Sequence, residues 1–92
     1  MEMLQLGYVA AVARTGNLSR AAEQCHVSQP SLSQQIQKLE EELGERLFDR
    51  MKRAVQLTPH GEVFLRRAVR ILEEVDAARR EASDARARSA RA

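Results

Sequence analysis

Apolar residues recur at helical spacing along most of the chain, most clearly in its middle. There they fall at steps of three and four, at Leu32, Ile36, Leu39 and Leu43. This spacing places the side chains on one face of a helix, while the opposite face carries mostly hydrogen-bonding groups. We therefore predict a helix over about residues 29–43 that is buried on one side. The polar side is either an ordinary solvated face or a surface that contacts a partner.

The start of this helix is well specified by two residues. Ser28 is a good N-cap because its side-chain oxygen can accept a hydrogen bond from an N–H of the first turn. Pro30 lies in that turn, where its missing N–H would have no partner within the helix in any case.

Two shorter helices are predicted before it. Leu6, Val9 and Val12 form the apolar stripe of the first helix, over about residues 3–14, and Gly16 suits a left-handed position at its end. The second helix, over residues 18–25, follows an N-cap at Asn17, and its apolar positions are Leu18, Ala21, Ala22 and Cys25.

The short link between the second and third helices predicts a helix-turn-helix. That motif commonly has a small residue in its first helix, a left-handed residue in the turn and a branched apolar residue in its second helix. Ala22, His26 and Leu32 occupy these places. We therefore expect His26 to be a turn residue and not a ligand, since histidine tolerates positive φ better than most residues.

A β-hairpin is predicted after Gly44, which suits the end of the third helix. Residues 47–50 and 54–57 show partial apolar alternation, and Met51, Lys52 and Arg53 separate them as a tip. A hairpin in this place after a helix-turn-helix is a wing.

The last segment is predicted to be a long helix that pairs with a second copy of the chain. Thr58 as N-cap and Pro59 at the first helical position mark its start. Its apolar positions alternate steps of four and three, which is typical of a coiled-coil seam. We expect the first half also to pack on the first helix, and the tail to fray from Ser83. The predicted dimer interface comprises Phe64, Ala68, Ile71, Leu72, Val75, Ala78 and Ala82.

Composition narrows the class of protein. A chain of 92 residues forms one small domain, which gains stability from a partner. Its single Cys excludes an internal disulfide, and neither a membrane span nor a signal peptide is evident. We therefore expect a soluble, cytoplasmic protein. The net charge of +2 gives only weak support for a nucleic-acid partner, but Arg46, Arg50, Lys52 and Arg53 form a basic cluster.

Two runs of the chain carry a family resemblance: RAAEQCHVSQPSLSQQIQKLEEELGERLFDR and, beyond the wing tip, VQLTPHG. In order and spacing they resemble the N-terminal domain of LysR-type transcriptional regulators over about residues 3–80. The resemblance implies a mainly α fold, with a winged helix-turn-helix over residues 1–57 and a linker helix over 58–92 that pairs two subunits antiparallel. It also implies an effector-binding domain outside this chain and higher assembly of the full-length protein. The segment CHVSQPSLS is similar to peroxide-responsive members.

These features give the hypothesis that the third helix enters the major groove of double-stranded DNA. Gln29, Ser33 and Gln34 would contact base edges, and Pro30 a thymine methyl group. Many family members carry Arg where this chain has Gln34, whose amide suits adenine. Arg53 would enter the adjoining minor groove. The residues expected at phosphates are Ser19, Arg20, Ser28, Ser31, Lys38, Arg50 and Lys52.

Other functions fit the sequence less well. A protein-interaction module would use the same helical head to dock another protein. An enzyme, a cofactor or a metal site is not expected, because His60 has no second ligand at a suitable spacing and Cys25 suits a small core position. The acidic run Glu40–Glu42 is expected to be a solvated helix end that pairs with Arg46.

Overall fold

Four helices and a two-stranded sheet are present in the computed structural model, which describes residues 1–50 and 54–91. Every predicted element is present, and the first three helices match their predicted ends to within one residue. In chain order the elements are α1 (Met3–Thr15), α2 (Leu18–Gln24), α3 (Gln29–Leu43), β1 (Phe48–Asp49), β2 (Gln56–Leu57) and α4 (Pro59–Arg91).

The ends of the first helices are set by the residues that the sequence indicates. Gly16 ends α1 at φ 67° and Gly44 ends α3 at φ 73°, both in the left-handed region where glycine has no steric penalty. Asn17 caps α2, since its Oδ1 accepts a hydrogen bond from the Arg20 N–H at 3.0 Å. The predicted caps are therefore confirmed.

The core lies between α1, α2, α3 and the start of the wing. Leu32, Ile36 and Leu39 are wholly buried, so the apolar stripe of α3 is confirmed. Each such side chain contributes about 1.5–3 kcal/mol relative to an exposed one. Ala21 and Ala22 are buried as well, and their small size lets α2 pack closely on its neighbours. The result is a three-helix head in which one side of α3 is fully occupied.

The wing is an antiparallel hairpin in which Phe48 pairs with Leu57, and Asp49 with Gln56. Its strands are two residues long, shorter than predicted. Phe48 is buried and so fastens the base of the hairpin to the core. The predicted tip, residues 51–53, lies outside the described residues.

Helix α4 begins as predicted. The Thr58 hydroxyl oxygen accepts a hydrogen bond from the Gly61 N–H at 3.0 Å, and the hydroxyl donates to the Arg46 carbonyl at 2.6 Å. The first half of α4 packs on α1, as expected, and Ala68 is wholly buried within the single chain. Its burial in the single chain leaves no Ala68 surface for a second copy, although the assignment of Ala68 to a dimer interface stays a prediction.

The end of α4 includes the tail from Ser83, for which fraying stays a prediction. The helix continues to Arg91, although residues 81–90 are all exposed. Alanine and arginine dominate this stretch and are among the strongest helix formers, which explains helix without burial. The extended α4 gives the molecule dimensions of 58 × 24 × 19 Å. Among the described residues, no helix is long and apolar enough to cross a membrane.

Candidate nucleic-acid interface

The turn between α2 and α3 fixes the angle at which α3 is presented. His26 has φ 58°, which makes it the one non-glycine residue with positive φ among residues 1–50 and 54–91. This backbone conformation lets the Val27 N–H donate to the Ala22 carbonyl at 3.0 Å, so α2 ends abruptly. The predicted role of His26 in the turn is confirmed, and the two helices form a helix-turn-helix.

The first turn of α3 is capped by the residue predicted for that role. The Ser28 Oγ accepts a hydrogen bond from the Ser31 N–H at 3.2 Å. The hydroxyl proton of Ser28 is not used in this bond and is free to be donated outward. Both serines are exposed. Because they stand at the N-terminus of α3, they lie at the positive end of its dipole, where an anion is favoured.

Two of the four side chains predicted to contact bases on α3 lie on its outer side, and the other two lie nearer its buried side. Pro30 and Gln34 are exposed, whereas Gln29 and Ser33 are half-buried at the edge of the outward face. Helical geometry explains the difference, since Gln29 and Ser33 lie closer to the buried stripe than Pro30 and Gln34 do. Among the described residues, Pro30 and Gln34 are thus open to solvent, whereas Gln29 and Ser33 are only partly accessible.

The residues predicted to bind phosphate surround this face in part. Ser19 and Arg20 are exposed in the first turn of α2, and Lys38 is exposed on α3. The structure thus places hydroxyl and cationic groups on both helices of the motif. The predictions for Lys52 and Arg53 fall outside the described residues.

Arg50 has an internal partner that the sequence did not indicate. Its Nη2 donates to the Glu40 Oε1 at 3.4 Å, and its side chain is only 25% exposed. The Nε lies buried and has no hydrogen-bond partner among the described residues. Arg50 is thus held against the end of α3 and does not extend freely into solvent.

Glu40 overturns part of the interpretation of the acidic run. It is 8% exposed, and its Oε2 accepts hydrogen bonds from the Leu47 N–H at 2.8 Å and the Phe48 N–H at 3.3 Å. The prediction that Glu40 belongs to a solvated helix end paired with Arg46 is wrong. A buried carboxylate is costly unless hydrogen-bonded or paired, and Glu40 is both. Its position four residues after Ile36, next to the buried stripe, is the sequence feature that could have shown this.

The other end of the acidic run behaves as expected. Glu41 and Glu42 are exposed, and the Glu42 carboxylate lies 2.8 Å from the Met1 amino group. This hydrogen bond, together with the negative charge, raises the pKa of the Met1 amino group above its ordinary value.

A buried glutamine on α1 also positions α3 and was missed by the sequence argument. Gln5 is 7% exposed, and its Nε2 donates to the side-chain oxygen of Gln35 at 3.2 Å. Its own oxygen accepts from the Glu2 N–H at 2.8 Å. Gln5 lies four residues before Val9, in line with the apolar stripe of α1. A polar residue at such a position indicates a buried hydrogen bond.

The remaining candidate groups lie away from this face. Cys25 is half-buried against the core, as its spacing indicated. The Nε2 of His60 lies 3.3 Å from a carboxylate oxygen of Glu45, and both side chains are exposed. No group of three or more metal-ligating side chains with suitable placement occurs in the described part of the chain.

The fold and this face define a winged helix-turn-helix domain. Residues 3–62 match the family described as bacterial regulatory helix-turn-helix protein, lysR family. The chain belongs to this family, so the predicted family resemblance is confirmed.

Known relatives carry the names of transcriptional regulators. The chain is 51% identical over 78 residues to BudR of Klebsiella aerogenes, a match that covers 85% of the chain and 54% of BudR. It is 51% identical over 73 residues to TfdS of Cupriavidus pinatubonensis, covering 79% of the chain and 25% of TfdS. The chain therefore spans between a quarter and about half the length of these curated relatives.

Solved structures show the same fold. The DNA-binding domain of CbnR, solved as a complex with DNA, is 44% identical with a TM-score of 0.85, covering 92% of this chain and 98% of that one. The DNA-binding domain of BenM, in complex with benA site 1 DNA, is 42% identical with a TM-score of 0.82. The match covers 85% of this chain and 88% of the BenM chain. A full-length OxyR variant from Pseudomonas aeruginosa is 44% identical with a TM-score of 0.86. This match covers 90% of this chain and 28% of the OxyR chain. The chain is thus a LysR-type helix-turn-helix domain of the kind found in transcriptional regulators.

Proposed function

We propose that the chain is the sequence-specific DNA-binding domain of a LysR-type bacterial regulator, with α3 as its recognition helix in the major groove. One observation carries the proposal: the outward face of α3 is polar and exposed at Pro30 and Gln34, whereas Leu32, Ile36 and Leu39 on its inward face are wholly buried. The complexes of the CbnR and BenM domains with DNA support it, given their identity of 44% and 42% to this chain.

Base recognition is assigned to the polar face of α3. The amides of Gln34 and Gln29 each offer one acceptor and two donors, the set that pairs with the major-groove edge of adenine. Ser33 lies between them along the helix and can contact either kind of base edge. Pro30 offers an apolar surface to a thymine methyl group. Of the two glutamines, Gln34 is the more exposed and so the more accessible to a base edge.

Phosphate contacts orient the domain on the duplex and give salt-dependent affinity. Ser19 and Arg20 on α2, and Lys38 on α3, are exposed and suited to this role. Ser28 and Ser31 would donate at the start of α3, and Arg50 and Lys52 from the wing. For Arg53 we propose a contact in the minor groove.

The middle of α4 is proposed to pair two copies of the chain. A groove along its surface is lined by Arg67, Arg70, Ile71, Glu74, Val75 and Ala78, and Ile71 is 41% exposed. Exposed branched apolar side chains at coiled-coil spacing favour a helical partner. Phe64 packs partly against the chain's own core, so the interface would lie mainly from Ile71 to Ala82, with Leu72 at its edge.

A symmetric dimer would present two recognition helices in twofold relation, so its operator would be an interrupted palindrome. In a full-length regulator, acting in the cytoplasm, further domains would add effector binding and higher assembly.

Selection of bound sequences from a random duplex pool tests this function directly. We expect enrichment of an interrupted palindrome, with a Kd that rises as salt is added. A pool that shows no enrichment, together with no salt-dependent binding of random duplexes, would instead favour a protein-interaction module. Enrichment of a single unrepeated half-site would contradict the dimer while leaving DNA binding intact.

A further inference from the structure

Glu40 joins three parts of the molecule through the two oxygens of one carboxylate. The Oε2 accepts from the Leu47 and Phe48 N–H groups, which begin the wing, and the Oε1 accepts from the Arg50 guanidinium. The carboxylate itself belongs to the last turn of α3. The backbone of β1 and the side chain of Arg50 therefore share one anchor on the recognition helix.

We propose that Glu40 is a positioning residue for DNA binding: it holds the Arg50 guanidinium beside α3 with its outer N–H edge aimed at a DNA phosphate. This inference rests on the proposed function.

The relative exposure of the two side chains supports this arrangement. The Glu40 side chain is 9% exposed and the Arg50 side chain is 25% exposed, so the cation is the outer member of the pair. A guanidinium carries five N–H donors in a fixed plane, and the contact with Glu40 uses the Nη2 end. Because the Nε is buried, only N–H groups at the Nη end of the guanidinium can meet an anion, and we assign them to a DNA phosphate.

Pre-orientation is the expected benefit for affinity. A free arginine loses rotamer freedom when it binds, and this loss weakens the complex. Arg50 is already restrained on one side by Glu40, which is itself fixed by two backbone hydrogen bonds. Less freedom is then lost when the guanidinium meets a phosphate.

Glu40→Gln tests the pair selectively. The amide oxygen of glutamine can take the place of Oε2 and keep both backbone hydrogen bonds. Its NH₂ group then faces the Arg50 Nη2, donor against donor, so the hold on Arg50 is lost. Glu42→Gln is the matched control, because it removes the same charge from the same helical turn. Its carboxylate is exposed and contacts the Met1 amino group instead.

The experiment measures the dependence of log Kd on log salt by fluorescence anisotropy, on random duplex DNA and on a selected site. We expect Arg50→Gln to lower the slope by about one phosphate contact per protomer. Glu40→Gln should lower the slope equally and weaken binding about tenfold. The double variant should be no weaker than Arg50→Gln alone, and Glu42→Gln should keep the wild-type slope.

Three results would overturn the inference: a wild-type slope in Glu40→Gln, a wild-type slope in Arg50→Gln, or additive losses in the double variant. Circular dichroism checks the fold of each variant. If Glu40→Gln does not fold, the test moves to the other member of the pair: Arg50→Lys keeps the charge but loses the planar donors that Glu40 holds, and it should weaken binding nearly as much as Arg50→Gln. Wild-type binding by Arg50→Lys would then overturn the inference. If the wild-type chain does not bind duplex DNA, the proposed function itself is refuted, and this result is distinct from the three that overturn the role of Glu40.

Discussion

The first turn of α4 passes so close to the wing that Gly61 has no room for a side chain. A Cβ at Gly61 would lie 2.9 Å from the Leu47 carbonyl carbon and 3.0 Å from the Leu57 Cδ2, and closer still to the Leu47 carbonyl oxygen. Carbon atoms in ordinary contact are about 3.5–4.0 Å apart. Because the contacts at Leu47 are to backbone, they cannot be relieved by a rotamer change.

Gly61→Ala is therefore expected to lower the free energy of unfolding by about 1–3 kcal/mol, the usual cost of overpacking. Urea denaturation followed by circular dichroism measures it. Gly7→Ala is the control, since a Cβ at Gly7 meets nothing within 4 Å. Gly7 lies inside α1, so alanine there should raise stability by up to about 1 kcal/mol. Equal effects at the two glycines would show that the close approach at Gly61 has no energetic weight.

Single side chains on α3 should separate sequence recognition from general affinity. Gln29→Ala is expected to cost about 1–3 kcal/mol of binding on the selected site and little on random duplex DNA, because it removes a base contact only. Paired titrations on the two DNAs measure the difference. Equal losses on both would mean that Gln29 contacts no base.

Lys38→Ala should weaken binding to specific and random DNA alike, in contrast to Gln29→Ala. Loss of a phosphate contact should reduce the salt slope by about one and leave the ratio of specific to random binding unchanged. Titrations at four or more salt concentrations give the slope. An unchanged slope would remove Lys38 from the phosphate contacts.

At the scale of elements, α3 is fixed at three places along its length. Ser28 caps its start, the Gln5 amide donates to Gln35 near its middle, and Glu40 anchors its end to β1 through the Phe48 N–H. The buried stripe supplies most of the free energy, while these polar contacts set the direction of the helix. The Ser28 cap is a contact within α3, whereas Gln5 and Glu40 join α3 to other elements, so the cap can be tested separately.

Ser28→Ala should lower the free energy of unfolding by about 1 kcal/mol, because the Ser31 N–H would lose its acceptor. Thermal or urea unfolding detects this loss. Ser83→Ala is the matched control, since Ser83 is exposed inside α4 and alanine is the better helix former there. A stability change of the same sign and size at both serines would argue against a capping role.

Helices, caps and the turn at His26 were predictable because each depends on residues close in the sequence. The burial of Ala68 within the chain and the partners of Glu40 were not predictable in this way. Periodicity shows that Ala68 lies on an apolar face but not whether α1 or a second chain covers it. The partners of Glu40 include two backbone N–H groups, whose direction depends on the path of the chain after Gly44. Such contacts depend on how the elements pack together, which the spacing of residues along the sequence does not predict.

At the scale of the whole molecule, the apolar seam of α4 from Ile71 to Ala82 should decide the oligomeric state. Ile71→Glu and Val75→Glu are each expected to convert a dimer to a monomer, because a carboxylate would be buried in an apolar seam without a partner. Size-exclusion chromatography with light scattering gives the mass. Arg80→Glu, which adds the same side chain on the opposite face of α4, should remain dimeric. Persistence of the dimer in both seam variants would place the interface elsewhere.

The division of α3 into a buried face and an open face also bears on how such regulators diversify. Gln34 projects from the helix without supporting the interior, and Pro30 affects the fold only through the first turn of α3, so exchanging them costs the fold little. After a gene duplication, one copy can therefore acquire a new target site through a few substitutions while its stability is preserved. The same few positions are where a designed library should be randomised to redirect the domain to another promoter.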